Sequence, residues 1–366
     1  MDKYRSIEFE FIGLGYGGSR IAAAFMKEHG YKAYAINTAQ VDLGKILLPK
    51  GHKLLLENQS GGAGKDMNVG QECFEQNIGI IRDFIWHHNI HKAKYVIVCI
   101  GGGGGTGTGG AMTMIRTLLE ENVPVGIIIT LPLQSEDIET KKNCLIAIKR
   151  LHDVKDIKPI IIIDNAKISK KYPKVSIADF WDRANKDFCR TFHMMNKASS
   201  QKGYIYSLDP ADYRKIFITS GCLVMGETSL KEFKSRSKLI ESLHNSIAEG
   251  LYASDFDLSR AHAAGIILRA APSLFQKIPE QDITHAFEHI KDVTHARRIY
   301  WGIYADHAYK NRIRVQSVFS GLDLPVNRIQ EFINDTKTEI ELFEEKNTIK
   351  KAELDFDYFF NDTNNE

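Results

Sequence analysis

The sequence predicts a two-lobed α/β protein: a doubly wound domain on a parallel sheet, a long connecting helix, a second mixed α/β domain and a closing amphipathic helix. Three observations lead there. At 366 residues the chain exceeds the roughly 250–300 at which a single core stops growing. Up to about residue 165, short β-rich runs alternate with helical stretches, the pattern of a doubly wound sheet. Within that region VIVCI and VGIIITL are apolar throughout rather than alternating, as strands covered by helices on both faces should be.

Taken in order, strands are expected at Glu8 to Ile12, Tyr34 to Asn37, Tyr95 to Ile100, Val125 to Thr130 and Pro159 to Ile163, with helices at Ile21 to His29 and Met112 to Glu121. These fill a first domain over residues 1–175. Between 176 and 202, after Pro173, a helical pattern carrying Phe180, Phe188, Phe192 and Met195 makes the connector. Residues 203–324 make the second domain, helix-rich at first, then with strand signals at Ala264 to Ala270, Ile299 to Tyr304 and Ile313 to Phe319. After Pro325 the spacing of Val326, Ile329, Phe332, Ile333, Ile340 and Phe343 predicts an amphipathic helix over 325–352, followed by an acidic aromatic tail, 353–366.

Composition excludes several classes. With 48 basic and 46 acidic residues the formal charge is +2, too balanced for attraction to bulk nucleic acid or an anionic membrane. Neither direct sequence-specific DNA binding nor a membrane partner is expected. Five widely spaced cysteines without a CxxC or Cys/His pair indicate neither a disulfide framework nor a zinc site, and no metal-ligating residues are assigned. They are expected to be reduced and mostly buried. No signal peptide and no run of about 18 apolar residues is present, so a cytoplasmic location is expected. The Lys-rich stretches Lys167 to Lys174 and Lys231 to Lys238 read as solvated helix faces, and His87, His88 and His91 show no ligand spacing.

Three glycine loops carry the chemistry. Gly13 to Gly18 satisfies GxGxxG between a strand and a helix, but Ile36-Asn37-Thr38 stands where a dinucleotide-binding domain places its ribose-holding acid. Ser60 to Asp66 contains Gly-Lys, but Asp66 occupies the position at which a P-loop needs Ser or Thr. Gly101 to Gly110, GGGGGTGTGG, is wedged between the buried strand VIVCI and a helix. Residues without Cβ let backbone approach a phosphate, while successive N–H groups and the helix N-terminus present positive potential to it. Thr106 and Thr108 can add hydroxyl donors.

The segment Gly103 to Gly109, GGGTGTG, resembles the signature of the tubulin/FtsZ superfamily, and the likeness runs over roughly residues 8 to 322. It implies a Rossmann-like GTPase domain followed by an activation domain, with GTP or GDP and Mg2+ bound. Gly13 to Arg20 resembles the family's first phosphate loop, which brings Gly15, Tyr16, Gly17, Gly18, Ser19 and Arg20 to the nucleotide. Asn37 belongs to the segment like the second loop, and Gly62, Ala63, Gly64 and Lys65 to the one like the γ-phosphate loop. Gly103, Gly104, Gly105, Thr106, Gly107, Thr108 and Gly109 make the signature itself. Leu131 to Glu136 is similar to the ribose loop, with Glu136 as the contact. Asn165, in Asn165-Ala166-Lys167-Ile168, together with Trp181 and Asn185 on the connecting helix, would read guanine by hydrogen bonding and stacking. The chain departs from the pattern at Tyr16, which interrupts the first glycine run, at Thr140, where FtsZ has a nucleotide-contacting arginine, and at Ala166, which replaces an aspartate.

Ser207-Leu208-Asp209-Pro210-Ala211-Asp212-Tyr213 resembles the FtsZ loop that enters the nucleotide site of the next subunit, which implies that Asp209 and Asp212 act as catalytic carboxylates delivered in trans. Ser207 stands where FtsZ has asparagine. Read from the residues alone, Asp209-Pro210 starts a turn and Asp212 caps a helix, and the two readings are compatible. The resemblance implies head-to-tail protofilaments of the chain with itself. The closing helix and tail look more like the TubZ proteins of plasmids and phages, or their phage spindle relatives, than like a division-ring FtsZ. A DNA-segregation role with a DNA-binding adaptor is therefore expected, although a tail without Lys or Arg, acidic and aromatic, is not the basic tail such an adaptor would take, and reads as docking on a neighbouring subunit, folding back on its own lobe or fraying.

Overall fold

The computed structural model describes residues 5–57, 61–176, 178–231 and 235–347, the side chains of Ser246 and of residues 339–347 excepted. The tail 353–366, the last residues of the expected closing helix and residues 232–234 of the second Lys-rich stretch lie outside that description.

Strands β1 (Phe9–Leu14), β2 (Lys32–Asn37), β3 (Lys53–Leu55), β4 (Tyr95–Gly101), β5 (Val125–Leu131) and β6 (Ile157–Asp164) alternate with helices α1 (Gly15–His29), α2 (Gln40–Lys45), α3 (Met67–Gln76), α4 (Ile78–His87), α5 (Gly105–Glu120) and α6 (Ile138–His152). Then follow α7 (Asn165–Lys171), α8 (Phe180–Ala198), α9 (Pro210–Phe217), β7 (Cys222–Leu230), α10 (Arg236–Gly250), β8 (Ala263–Ala270), α11 (Pro272–Phe275), α12 (Glu280–Thr294), β9 (Arg298–Ala305), β10 (Ile313–Leu322) and α13 (Val326–Asn347). Local chemistry ends and starts several of them. Gly30 closes α1 in the left-handed conformation, with φ 64°, which glycine adopts without a Cβ penalty. Asp66, Asp137, Asp164 and Asp209 cap α3, α6, α7 and α9 through their side chains.

Among the described residues ten strands form one sheet in the order β3-β2-β1-β4-β5-β6-β7-β10-β8-β9. From β3 to β7 the neighbours are parallel; β10 runs antiparallel to both β7 and β8, and β9 is parallel to β8. Successive residues of the central strands serve opposite faces. Val96, Val98, Ile100, Ile127 and Ile129 join the core beneath α3 to α6, and Tyr95, Ile97, Cys99 and Ile128 join the one beneath α1, α8 and α9. Both faces are dry, which explains why these strands read as unbroken apolar runs. All five cysteines are buried and free.

One element departs from the sequence reading. The stretch expected to be helix-rich contains the nine-residue strand β7, which joins β6 through Ile160↔Cys222 and Ile161↔Leu223 and so carries the sheet through both halves of the chain. Its sequence, CLVMGETSL, is apolar only at the start. The polar part is nonetheless covered: Glu227 is 7% exposed and paired with Arg190 and, at 2.7 Å, with Arg314. A buried ion network therefore disguises a strand as surface.

Near the end of α1, His29 stacks on His193 with ring centroids 4.1 Å apart, and its Nε2 is buried without a partner. Burial, assisted by Arg5, Arg190 and Lys197 against Glu28, pulls its pKa from 6.5 to about 4. Between those values the unfolded chain takes up a proton that the folded chain refuses. The stabilisation is therefore whole above pH 6.5 and lost as pH falls towards 4. His29→Gln should flatten that limb by at most about 3 kcal/mol, reduced for the part of the ring that solvent reaches. Urea unfolding at pH 4.5 and 7 reads it, and an unchanged difference between the two would refute the assignment.

Among the described residues, no helix is long and apolar enough to cross a membrane.

Candidate functional site

In the sheet, β1 lies between β2 and β4, so the connections leaving β1 and β4 diverge and open a crevice at the carboxyl ends of the strands. A cavity of about 500 Å³ lies there, within the range of small-molecule sites. Gly15, Tyr16, Gly17, Arg20, Asn37, Gly62, Ala63, Gly64, Lys65, Gly103, Gly104, Gly105, Thr106, Gly107, Glu136, Thr140, Asn165, Trp181 and Asn185 all line it.

The glycine run forms its floor for two distinct reasons. Helix α5 begins at Gly105, inside the run and earlier than its apolar pattern suggests, so the unpaired N–H groups of its first turn and its positive end belong to the cavity wall. Most of the glycines are required by the close passage of another segment, backbone or side chain. A Cβ on Gly102 would overlap the carbonyl of Thr130, one on Gly103 the Thr140 methyl, and one on Gly109 the carbonyl of Met67. On Gly105 it would stand 2.6 Å from the Asp66 carbonyl, and on Gly107 2.9 Å from that of Leu14. Gly104 differs from the other glycines of the run: nothing lies within 4 Å of its missing Cβ, because it faces the cavity.

The neighbouring loops are braced against this floor. Asn37, 1% exposed, accepts through Oδ1 from the N–H groups of Thr38 (2.8 Å) and Ala39 (3.2 Å), while its Nδ2 is buried beside the cavity without a partner. That leaves a donor suited to an acceptor on a bound ligand. The hydroxyls of Thr38 and Thr106 are 2.7 Å apart. Lys65 adopts φ 69°, unusual for a side chain with a Cβ, and its ammonium pairs with Asp137 and donates to Thr140 Oγ1 at 3.1 Å. The Lys65 hydrogen bond, with help from Thr140, holds the Asp137 carboxyl down at about 2.

The far end of the cavity is of a different kind. Trp181 and Asn185, one turn apart on the same face of α8, stand with Ala184 and Phe188 opposite Asn165, which opens α7. Glu136 accepts from the Leu133 N–H at 2.9 Å, shaping the β5–α6 loop. One end thus offers backbone donors for anionic oxygens, and the other an aromatic ring with two amides for a planar polar ring.

Four sequence-derived candidates, Gly18, Ser19, Thr108 and Gly109, stand behind the wall rather than on it. A Cβ on Gly18 would overlap the Cys99 carbonyl; Ser19 is fully buried, with its hydroxyl donating to the Gly13 carbonyl at 3.2 Å; and Thr108 turns its hydroxyl back to the Gly104 carbonyl. Each lies on the inner side of helix α1 or α5, where the helical period turns it from the crevice. Conversely Asp42, Thr130 and Ile163 line the cavity without having been singled out, and so do Pro132 and Ile168, which were quoted only as part of the ribose-like and base-like segments. The two isoleucines flank Asn165, the one signal that could have flagged them.

Asp209 and Asp212 do not reach this cavity. Asp209 caps α9, accepting from the Asp212 N–H at 2.9 Å, and Asp212 pairs with Lys215 at 3.2 Å. Helix α9 lies at the amino ends of the strands: Phe217 packs on Phe9 and Tyr95, which begin β1 and β4, at 4.7 and 5.8 Å between centroids, and Arg214 donates to the Ser6 carbonyl at 3.2 Å. The strands between the two places span roughly 20 Å.

Comparisons with known proteins show what the chain resembles. Residues 8–173 match the profile described as Tubulin/FtsZ family, GTPase domain. The tubulin-like protein TubZ of Bacillus cereus is 26% identical over 371 aligned residues, which cover 90% of this chain and 82% of that protein. Among solved structures, a GTPγS-form protofilament of TubZ from Bacillus thuringiensis serovar israelensis superposes with TM-score 0.79 at 18% identity, covering 94% of this chain and 95% of that one. The GTPγS-bound protofilament of CetZ2 from Haloferax volcanii gives 0.75 at 19% identity, covering 92% and 100%. At those identities the structural likeness is one of fold.

Proposed function

From a chain whose residues 8–173 are a tubulin/FtsZ-family GTPase domain, we propose a GTP-dependent polymerising filament protein that hydrolyses GTP at the contact between subunits. The observation that carries the reading is the separation just described. The cavity opens at the carboxyl edge of the sheet and Asp209 with Asp212 stands at the amino edge, so the carboxylates of one molecule suit the cavity of another stacked head to tail. A contact of that kind does not close on itself and grows a filament.

In this scheme the glycine floor and the start of α5 hold the phosphates, with magnesium accompanying them, and Asn37 donates its free amide proton. Glu136 meets the ribose. Trp181 stacks on guanine while Asn165 and Asn185 bond its edge. Asp209 and Asp212 of the next copy orient the attacking water, since phosphoryl transfer depends mostly on positioning and charge stabilisation. Phosphate release per molecule should climb steeply through a threshold of protein concentration. A rate per molecule independent of concentration would remove the shared site.

We place the filament in DNA segregation, working with a DNA-binding adaptor, on the strength of the closing helix α13, which follows the second half directly where a division-ring protein continues into a linker. Finding the gene on a plasmid or phage beside a small helix-turn-helix protein and an iterated DNA site would support this reading. A chromosomal cell-division neighbourhood argues for the cytokinetic alternative. The acidic aromatic composition of residues 353–366 favours, as a second reading, a spindle-type filament whose tail docks on a subunit.

A further inference from the structure

We infer that Arg328, on the closing helix and outside the cavity, is a positioning residue that sets the base end of the site. The inference rests on the proposal that the cavity binds GTP.

Arg328 is 4% exposed, and the five N–H donors of a guanidinium all find acceptors. Nε donates to Asp164 Oδ2 at 3.2 Å, and Nη2 to Asp164 Oδ1 at 3.5 Å and the Pro132 carbonyl at 3.2 Å. Nη1 donates to Gln134 Oε1 at 2.9 Å and Glu331 Oε2 at 2.6 Å. Phe332 covers its face, with the guanidinium carbon 4.4 Å from the ring centroid. Asp335, one further turn along α13, reaches the same loop through Gln134 and pairs with Lys141 at 3.4 Å.

The two segments so joined are the ones that shape the base and ribose end. Asp164 is 2% exposed and caps α7 by accepting from Ala166 N–H at 2.9 Å, so its carboxylate fixes the turn on which Asn165 enters the cavity. Pro132 lies on the cavity wall and Gln134 between it and Glu136. Burial pushes the Asp164 carboxyl up and Arg328 is the main group opposing it, so removing the arginine leaves this buried acid only the α7 backbone N–H groups as partners for its charge. Arg328 thereby sets the spacing between the base-reading amide and the β5–α6 loop. A lysine, with one point charge and three donors, cannot span Asp164, Pro132 and Gln134 together.

The phosphate end does not depend on Arg328, which separates this role from general stability. Kd values for fluorescent GTP and ATP analogues, and for inorganic tripolyphosphate, would be measured on the full chain and on Arg328→Met, Arg328→Lys and Gln134→Leu. Arg328→Met is expected to reduce the guanine-over-adenine preference about tenfold or more while tripolyphosphate affinity stays within about twofold. Arg328→Lys and Gln134→Leu should each reduce the preference by a smaller factor. A preference unchanged in folded Arg328 variants, or a fall shared equally by all three ligands, would overturn the inference. If Arg328→Met does not fold, the Lys and Leu variants decide by the same ratio. A wild-type chain that does not prefer guanine would instead sink the GTP reading itself.

Discussion

Asp209→Ala is expected to leave filament assembly with GTP intact and to lower turnover roughly 100- to 10,000-fold, the usual range for a group that positions or deprotonates a nucleophile. Electron microscopy reads assembly and phosphate release reads turnover. The variant alone is ambiguous, because Asp209 also caps α9 by accepting from Asp212 N–H at 2.9 Å, and losing a cap costs about 1 kcal/mol. Asp209→Asn separates the two roles. Asparagine caps as well as aspartate but brings no negative charge to a neighbouring subunit. If the Asn variant turns over normally while the Ala variant fails, Asp209 is a cap and nothing more. Asp212→Asn should behave like Asp209→Asn, since its contact with Lys215 is at the surface and contributes little to stability.

The glycine floor yields the second large effect, as a contrast between neighbours. Gly104→Ala adds a methyl where nothing stands within 4 Å, at φ −82° and ψ 151°, which alanine adopts without strain. Its cost to stability should be no more than about 1 kcal/mol, from a poorer residue at the start of α5. On the proposed reading nucleotide affinity should nevertheless fall roughly 100-fold, about 2.7 kcal/mol, because the methyl would project into the space proposed for the phosphates. Gly102→Ala does the reverse. Its methyl overlaps the Thr130 carbonyl, to which Gly102 N–H itself donates at 3.0 Å, so the strand end must move, at about 1–3 kcal/mol. Thermal unfolding without ligand, set beside a nucleotide titration, distinguishes them. Equal loss of affinity and stability in Gly104→Ala would mean that Gly104 serves packing rather than a ligand.

The contrast also shows how much of the site was legible beforehand. The run Gly101 to Gly110 marks a phosphate cradle by residue type alone, yet Gly102, Gly105, Gly107 and Gly109 are small because other backbone crosses them, and Gly103 because the Thr140 side chain does. Sequence displays the absence of a side chain and not what fills the space. Likewise Ser19 and Thr108 are the hydroxyl types a phosphate site uses, and the helices turn both inward. Strand β7 escaped notice because Glu227 is buried by pairing with Arg190 and Arg314, residues 37 and 87 positions away along the chain.

By itself the sequence determined the doubly wound parallel sheet, the order of its loops and the residue types at both ends of the cavity. The sheet and the glycine loops rest on local signals, unbroken apolar runs and glycine between strand and helix, whereas Trp181 and Asn185 were picked out by the family resemblance. Only the tertiary structure decided that β7 extends the sheet into the second half, that Gly104, unlike its neighbours, has open space where a Cβ would stand, and that Asp209 and Asp212 stand at the opposite edge from the cavity. It alone brought Arg328 onto Asp164. Each of these depends on which distant segments meet, and contacts across 164 residues leave no periodic trace in the chain.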